Sequence, residues 1–240
     1  MNKVFRNCAE AVKDIPDGAT IMVGAFAGPG GMPSHLLVAL REQGARDLTI
    51  IANNVGIGSG YGAVPGESYI DITVLVENRQ VSKAIASFPV SPSPSRPTAF
   101  EKLYLEGKVE LELVPQGTLA ERIRAGGAGI GGFFTPTGVG TLIAAGKEHR
   151  VIDGKEYILE NPLRADYALI RAHRADTYGN LTYRMTSRHF NAVMAMAADV
   201  TIAEVDEIVE PGGLDPNTIA TPCVFVQRIV KRATEVENEG

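Results

Sequence analysis

The sequence predicts an α/β fold, an open and mostly parallel sheet flanked by helices. Three observations carry this reading. Short apolar runs alternate with segments of helical spacing along the whole length. Several of those runs, Thr20-Ile21-Met22-Val23 among them, are continuously apolar, as strands buried on both faces are. Glycine, 26 of 240 residues and so about 11% against a usual ~7%, gathers where such runs end.

Taken in order, residues 7–12 suggest a first helix, closed by the turn signal Ile15-Pro16-Asp17-Gly18. Thr20 to Val23 is a strand that opens into glycines at 24–31. A helix starts at Pro33-Ser34, because proline suits a first turn and Leu36, Leu37 and Leu40 follow at helical spacing. Asp47-Leu48-Thr49-Ile50-Ile51-Ala52 is a second strand, leading into Asn53-Asn54 and a loop over 56–66. Residues 72–76 and 84–88 read as further strands. The proline-rich stretch 89–97 reads as a solvent loop or flap. Residues 100–105 look helical, 109–114 extended and 118–124 helical, before a second glycine cluster at 126–140. Residues 151–159 suggest a hairpin around Asp153-Gly154. Strands at 167–172, 200–205 and 219–220 and a helix at 190–198 complete the set, Met194 and Met196 being core filler. No repeat or boundary divides the chain, so residues 1–240 are expected to form one domain, with a frayed tail at about 235–240.

Composition narrows the function classes. Twenty-three basic against 28 acidic side chains give a net charge of −5. A nucleic-acid partner is not expected, since displacing phosphate counterions needs a basic face. Charged residues at 21% and a mean hydropathy of +0.02 describe a soluble globular chain. No apolar run approaches the ~20 residues that span a bilayer, and Glu10, Asp14 and Asp17 interrupt the first 18 residues. Cys8 and Cys223 form no disulfide framework and have no His or Cys at ligand spacing, so no metal site is expected. These features point to a reduced, cytoplasmic setting with no membrane association.

Open α/β sheets bind ligands where strand-to-helix loops converge at the strand C-termini. Three loops have that position: residues 24–31, residues 53–62 and Pro115-Gln116-Gly117. Glycine there lets backbone N–H groups approach an anion or a developing oxyanion, and each loop alone is equally a tight turn. Gly127-Ala128-Gly129-Ile130-Gly131-Gly132 satisfies G-x-G-x-x-G, but it follows a helical segment and runs into Phe133-Phe134-Thr135-Pro136, where no helix starts. The loop after Val23 has Phe26 where a second fingerprint glycine belongs, and Pro29 removes a donor. A nicotinamide site is not expected, and neither a P-loop nor a G-x-S-x-G elbow is present. His35, His149, His173 and His189 are scattered and read as surface or hydrogen-bonded structural residues. Asn53, Asn54 and Gln116 are more informative. Amides at the ends of buried strands are costly unless satisfied, and they either tie loops together or donate to an oxyanion.

With these residues in hand, the sequence resembles the family I CoA-transferases, and within them the A (alpha) subunits of 3-oxoacid and 3-oxoadipate enzymes. The likeness runs from Asp17-Gly18-Ala19-Thr20 through Gly24-Ala25-Phe26, Gly30 and Pro33. It continues through Asn53-Asn54, Pro115-Gln116-Gly117-Thr118-Leu119-Ala120-Glu121-Arg122, Phe133-Phe134-Thr135-Pro136-Thr137-Gly138 and Gly179-Asn180-Leu181, and covers residues 3–231. The resemblance implies the fold shared with ribose-5-phosphate isomerase and glucosamine-6-phosphate deaminase.

It also implies a ping-pong chemistry. A glutamate carboxylate attacks an acyl-CoA, giving an acyl–glutamyl anhydride and CoA thiolate. The thiolate then attacks the glutamyl carbonyl, and an acceptor acid reverses the resulting enzyme–CoA thioester. In that family the glutamate lies in Ser-Glu-Asn-Gly, on a B subunit or the second half of a fused chain. Here Glu77-Asn78 is followed by Arg79 and Glu160-Asn161 by Pro162, both read as surface loops, so the nucleophile is expected on a partner B subunit in a heterotetramer or larger assembly. The resemblance assigns Gln116 as oxyanion donor, places Asn53 and Asn54 in the substrate pocket, and assigns Gly24, Ala25, Phe26, Ala27, Gly28, Pro29 and Gly30 to CoA and substrate contact. Coenzyme A is a substrate and no cofactor is held permanently. Succinyl-CoA is the implied donor and a short 3-oxo acid, acetoacetate or 3-oxoadipate, the implied acceptor. Ala25 departs from the family's Gly-Gly-Phe, which bears on the pocket's width, and the proline content of 89–97 departs from the usual loop. A non-catalytic CoA-binding protein and a sugar-phosphate isomerase-like enzyme are the alternatives on the same fold.

Overall fold

The computed structural model describes residues 3–26, 31–57, 70–93 and 95–232. Along the chain run β1 (Val4–Phe5), α1 (Cys8–Val12), β2 (Thr20–Val23), α2 (Ser34–Gln43), β3 (Leu48–Asn54), α3 (Thr73–Glu77), β4 (Val81–Phe88), α4 (Ala99–Leu105), β5 (Glu110–Leu113) and α5 (Gln116–Ala128). They are followed by β6 (Phe133–Thr135), β7 (His149–Ile152), β8 (Lys155–Glu160), β9 (Ala165–Asp176), β10 (Leu181–Thr182), α6 (His189–Ala195), β11 (Ala198–Val209) and β12 (Arg228–Lys231). The main sheet has the order β1-β12-β11-β9-β2-β3-β4-β5, with every neighbouring pair parallel and β10 added antiparallel to β9. A separate antiparallel sheet, β6-β8-β7, contains the expected hairpin, whose Asp153 (φ 51°) and Gly154 (φ 76°) take the left-handed pair a two-residue turn needs.

Strand alternation divides the core between two faces. Ile21, Val23 and Ile50 pack with Leu36, Leu37 and Leu40 of α2, Leu75 of α3 and Phe100 of α4. Met22, Ile51 and Ile85 point the other way, against Leu119 and Ile123 of α5 and Phe190 and Met194 of α6. Fully buried Met194 is core filler, as its position suggested. The layered α/β fold read from the sequence is the fold observed.

Three expectations are corrected. Residues 72–76 are not a strand: α3 spans them, because Asp71 Oδ1 accepts from Thr73 N at 2.8 Å and turns the chain into a helix at its start. An apolar run this short carries no period that separates helix from strand. Residues 219–220 form no strand either, being held by a single bridge at Leu181–Thr221. Glu160 is not a surface residue: it is 1% exposed and pairs with Lys147 Nζ at 2.6 Å. The loop 89–97, apart from residue 94, is tethered, since Ser91 N and Thr98 N both donate to Glu101 Oε2, at 2.9 and 2.7 Å. The loop positions 58–66 and the tail 235–240 lie outside the described residues.

Candidate active site

The sheet order reverses between β2 and β9. From β2 the chain crosses through α2 on one face to β3, whereas α6, on the opposite face, precedes β11 on the far side of β9. Connections leaving in opposite directions open a crevice at the strand C-termini, the usual ligand position in this architecture. Gly24 lies at its base, its N–H donating to Leu169 O of β9 at 2.9 Å.

Asn191 of α6 shapes this crevice. It is fully buried, donates from Nδ2 to Gly31 O (3.0 Å) and Ser187 O (2.8 Å), and accepts Arg171 N on Oδ1 at 3.0 Å. One amide therefore fixes the segment that enters α2 while lying flat against Gly24. Phe26, 41% exposed, places its ring 6.3 Å from Phe190 and 6.4 Å from His189. Ala25 is 1% exposed, its methyl in the core on the α2 side. Ala27, Gly28, Pro29 and Gly30 lie outside the described residues. Sequence reasoning missed Asn191, for which a lone Asn in a helical segment gave no signal.

A second polar group lies along β3, β4 and the start of α5. Asn53 and Asn54 are the last residues of β3 rather than loop residues, and they are 5% and 1% exposed. They point to opposite faces. Asn54 Oδ1 accepts Gly56 N at 3.2 Å, while its Nδ2 has no partner among the described residues. Asn53 shares the α5 face with Ile51, and its buried Oδ1 is likewise without a partner there. The register Ala52↔Ala86 and Asn54↔Phe88 sets Ser87 beside Asn53. Gln116 is the first residue of α5, whose first bond runs from Leu119 N to Pro115 O at 2.8 Å. The Gln116 side chain is exposed and makes no hydrogen bond to any described residue. Pro115 fixes the backbone entering the helix, and the first-turn N–H groups point the same way as the strand ends. The structure thus puts Asn53, at the end of β3, and Gln116, which follows β5 two strands away, at the same end of the sheet. Gly24 and Phe26 sit one strand further along.

A cavity of about 590 Å³ lies elsewhere, lined by Arg6, Cys8, His35, Glu42, Lys231 and Arg232 among others. Its chemistry is already committed. Burial, reinforced by the Glu204 carboxylate, pushes the Cys8 thiol up to about 12. Glu204 itself accepts His35 N and Leu36 N at 2.9 and 3.1 Å and His35 Nδ1 at 3.0 Å, capping α2. His149 and His173 likewise pair with carboxylates, Glu156 at 2.7 Å and Asp206 at 3.1 Å. The fourth, His189, lies beside Gly31 and Phe26. No group of three His, Cys, Asp or Glu among the described residues is placed to hold a metal ion, and no described helix is long and apolar enough to cross a membrane.

Residues 5–232 match the Coenzyme A transferase family. The A subunit of the 3-oxoadipate CoA-transferase of Pseudomonas putida is 54% identical over 230 residues, covering 96% of this chain and 94% of that protein. A protein of Bacillus subtilis, named as the A subunit of a probable succinyl-CoA:3-ketoacid coenzyme A transferase, is 48% identical over 236 residues, covering 98% and 92%. Among solved structures, an acyl-CoA transferase of Escherichia coli O157:H7, crystallised as a thioester complex with CoA, superposes with a TM-score of 0.78 at 25% identity. This chain is covered to 96% and spans about half, 47%, of that one. The chain belongs to the coenzyme A transferase family.

Proposed function

We propose that this chain is the A subunit of a heteromeric CoA-transferase that moves CoA between a dicarboxylic acyl-CoA, succinyl-CoA, and a short 3-oxo acid, acetoacetate or 3-oxoadipate. One observation carries the reading: amide donors line one edge of the sheet, and the 240 residues contain no Ser-Glu-Asn-Gly to supply the nucleophile beside them. Of the three Glu-Asn pairs in the sequence, Glu237-Asn238 stands between Val236 and Glu239, Glu160 is engaged by Lys147 at 2.6 Å, with Arg122 Nε at 3.9 Å, and Glu77 ends the short helix α3. The names of the two relatives, each an A subunit, and a matched structure about twice as long both support a second polypeptide.

In this reading a glutamate of the B subunit attacks the acyl carbonyl and expels CoA thiolate, leaving an anhydride. The thiolate attacks the glutamyl carbonyl, releasing the donor acid and leaving a glutamyl–CoA thioester. The acceptor carboxylate then takes the same steps in reverse. Each tetrahedral intermediate concentrates negative charge on one oxygen, and Gln116 Nε2 donates to it. Such a donor helps most where the charge develops. Asn53 lines the acid's pocket, and Asn54 on the opposite face belongs with the segment 24–30 to the substrate and CoA contacts. No cofactor is held between turnovers. A site shared by two chains needs a permanent interface. Coexpression of this chain with a B subunit carrying Ser-Glu-Asn-Gly, assayed against a panel of carboxylic acids, tests the assignment. CoA transfer to a 3-oxo acid supports it, and CoA binding without transfer under every pairing refutes it.

A further inference from the structure

Resting on that reading, we propose that Ser87 is a specificity-determining residue whose hydroxyl donates to an oxygen of the short carboxylic acid, between Asn53 and Gln116. Ser87 lies next to the end of β4, the strand between β3 and β5. Its neighbours fix its aim. Ala84 and Ala86 face the core on the α2 side and Ile85 the core under α5, so Ser87 also projects toward α5. On one side it is level with Asn53. On the other, Val114 N bonds to Ala86 O at 3.0 Å, which sets Ser87 level with Val114, two residues before Gln116. Adjacent strands therefore set a carboxamide beside a hydroxyl, and the next segment carries a second carboxamide two residues further on.

Serine hydroxyls at such sites ordinarily bond a nearby backbone carbonyl; Ser82 of the same strand does so, to Leu48 O at 3.3 Å. Ser87 Oγ does not. The oxygen is buried and has no hydrogen-bond partner among the described residues, and the Asn53 Oδ1 beside it is in the same condition. A buried polar atom left unpaired costs stability, and two on neighbouring strands at the ligand end of a sheet mark a surface built for something other than folding. A hydroxyl donates one hydrogen and accepts two, so it suits a carboxylate or acyl oxygen flanked by amides. The small side chain also leaves room for a short acid where a larger one would close the row.

The test is steady-state kinetics and thermal melting of the reconstituted two-subunit enzyme carrying Ser87→Ala or Ser87→Cys. Ser87→Ala is expected to lower kcat/KM for the acid by about 10–100-fold, the loss of one hydrogen bond to substrate. Its Tm should be equal to or above that of the parent, because no protein bond is lost. Ser87→Cys, which keeps the volume but donates weakly, should be impaired as well. A wild-type kcat/KM in Ser87→Ala overturns the inference alone, and so does full activity in Ser87→Cys. A Tm several degrees lower in Ser87→Ala assigns the hydroxyl to the fold instead. If the unmodified pair transfers no CoA, the parent reading fails and this inference falls with it.

Discussion

Asn191 occupies the space that any side chain at Gly24 would need. A Cβ at residue 24 would stand 1.8 Å from Asn191 Oδ1 and 2.7 Å from its Cγ, and a Cβ at Gly31 would meet Asn191 Nδ2 at 3.0 Å. Gly24 is therefore fixed by the amide of α6, whereas at Gly31 the His189 ring stands closer still, its Nε2 2.6 Å from such a Cβ, and Gly31, at φ 90°, also needs the left-handed backbone. Gly24→Ala should destabilise the chain by about 1–3 kcal/mol, the usual range for overpacking. In an Asn191→Ala background the same change should cost distinctly less, because the obstructing group is gone. Urea denaturation of the four proteins gives the comparison. An equal cost in both backgrounds would show that Asn191 is not the obstacle.

Gln116→Ala should reduce kcat of the assembled enzyme by about 10²–10³-fold, the loss typical of one oxyanion donor. The side chain is exposed and forms no hydrogen bond to the described residues, so Tm should hardly move. Unchanged turnover would remove Gln116 from the chemistry.

Glu160 separates structure from catalysis. Its carboxylate is buried against Lys147 and Arg122, whose Nε also donates to Asn161 O at 2.7 Å. Glu160→Ala should cost about 2–3 kcal/mol, somewhat less than a sealed buried pair because Lys147 still reaches water. The gentler Glu160→Gln should keep turnover per folded enzyme near that of the parent. Loss of turnover in a folded Glu160→Gln enzyme would make Glu160 a nucleophile candidate and undercut the two-chain site.

Asp14 ties the segment after α1 to β12. It accepts Arg228 Nη1 and Nη2 at 2.5 and 2.7 Å, while the guanidinium also covers Phe5 at 5.5 Å. The hydrogen bonds from Arg228 hold the Asp14 carboxyl below its usual range. A depressed folded-state pKa gives stability that is fully present above the unfolded value of 3.8 and is lost as pH falls through the folded one. Melting curves from pH 6 to pH 3 should therefore fall more steeply for the parent than for Asp14→Asn. Parallel curves would contradict this coupling.

The parts of the fold legible in the sequence were those with a strong local signal. Thr20–Val23 is a strand with the expected limits because both its faces are buried and glycine ends it. Pro33-Ser34 starts α2 where proline permits it, and Gly44, left-handed at φ 88°, ends it. Legibility failed where long-range contacts decide. Residues 72–76 are helical through Asp71, and β1 and β12 are short strands that exist only by pairing with each other and with β11. The site divided in the same way. Asn53, Asn54 and Gln116 stood out as amides beside strand ends. Ser87 and Asn191 did not, because only strand register sets one beside Asn53 and only the packing of α6 lays the other on Gly24.

The central claim is that the attacking carboxylate belongs to another polypeptide while this one supplies the donors that stabilise the oxyanion. The direct measurement is CoA transfer from succinyl-CoA to acetoacetate or 3-oxoadipate by this chain alone and after mixing with its B subunit. No transfer by the isolated chain, and turnover restored on mixing, is the result the account predicts. Full enzymatic turnover by the isolated chain would contradict it.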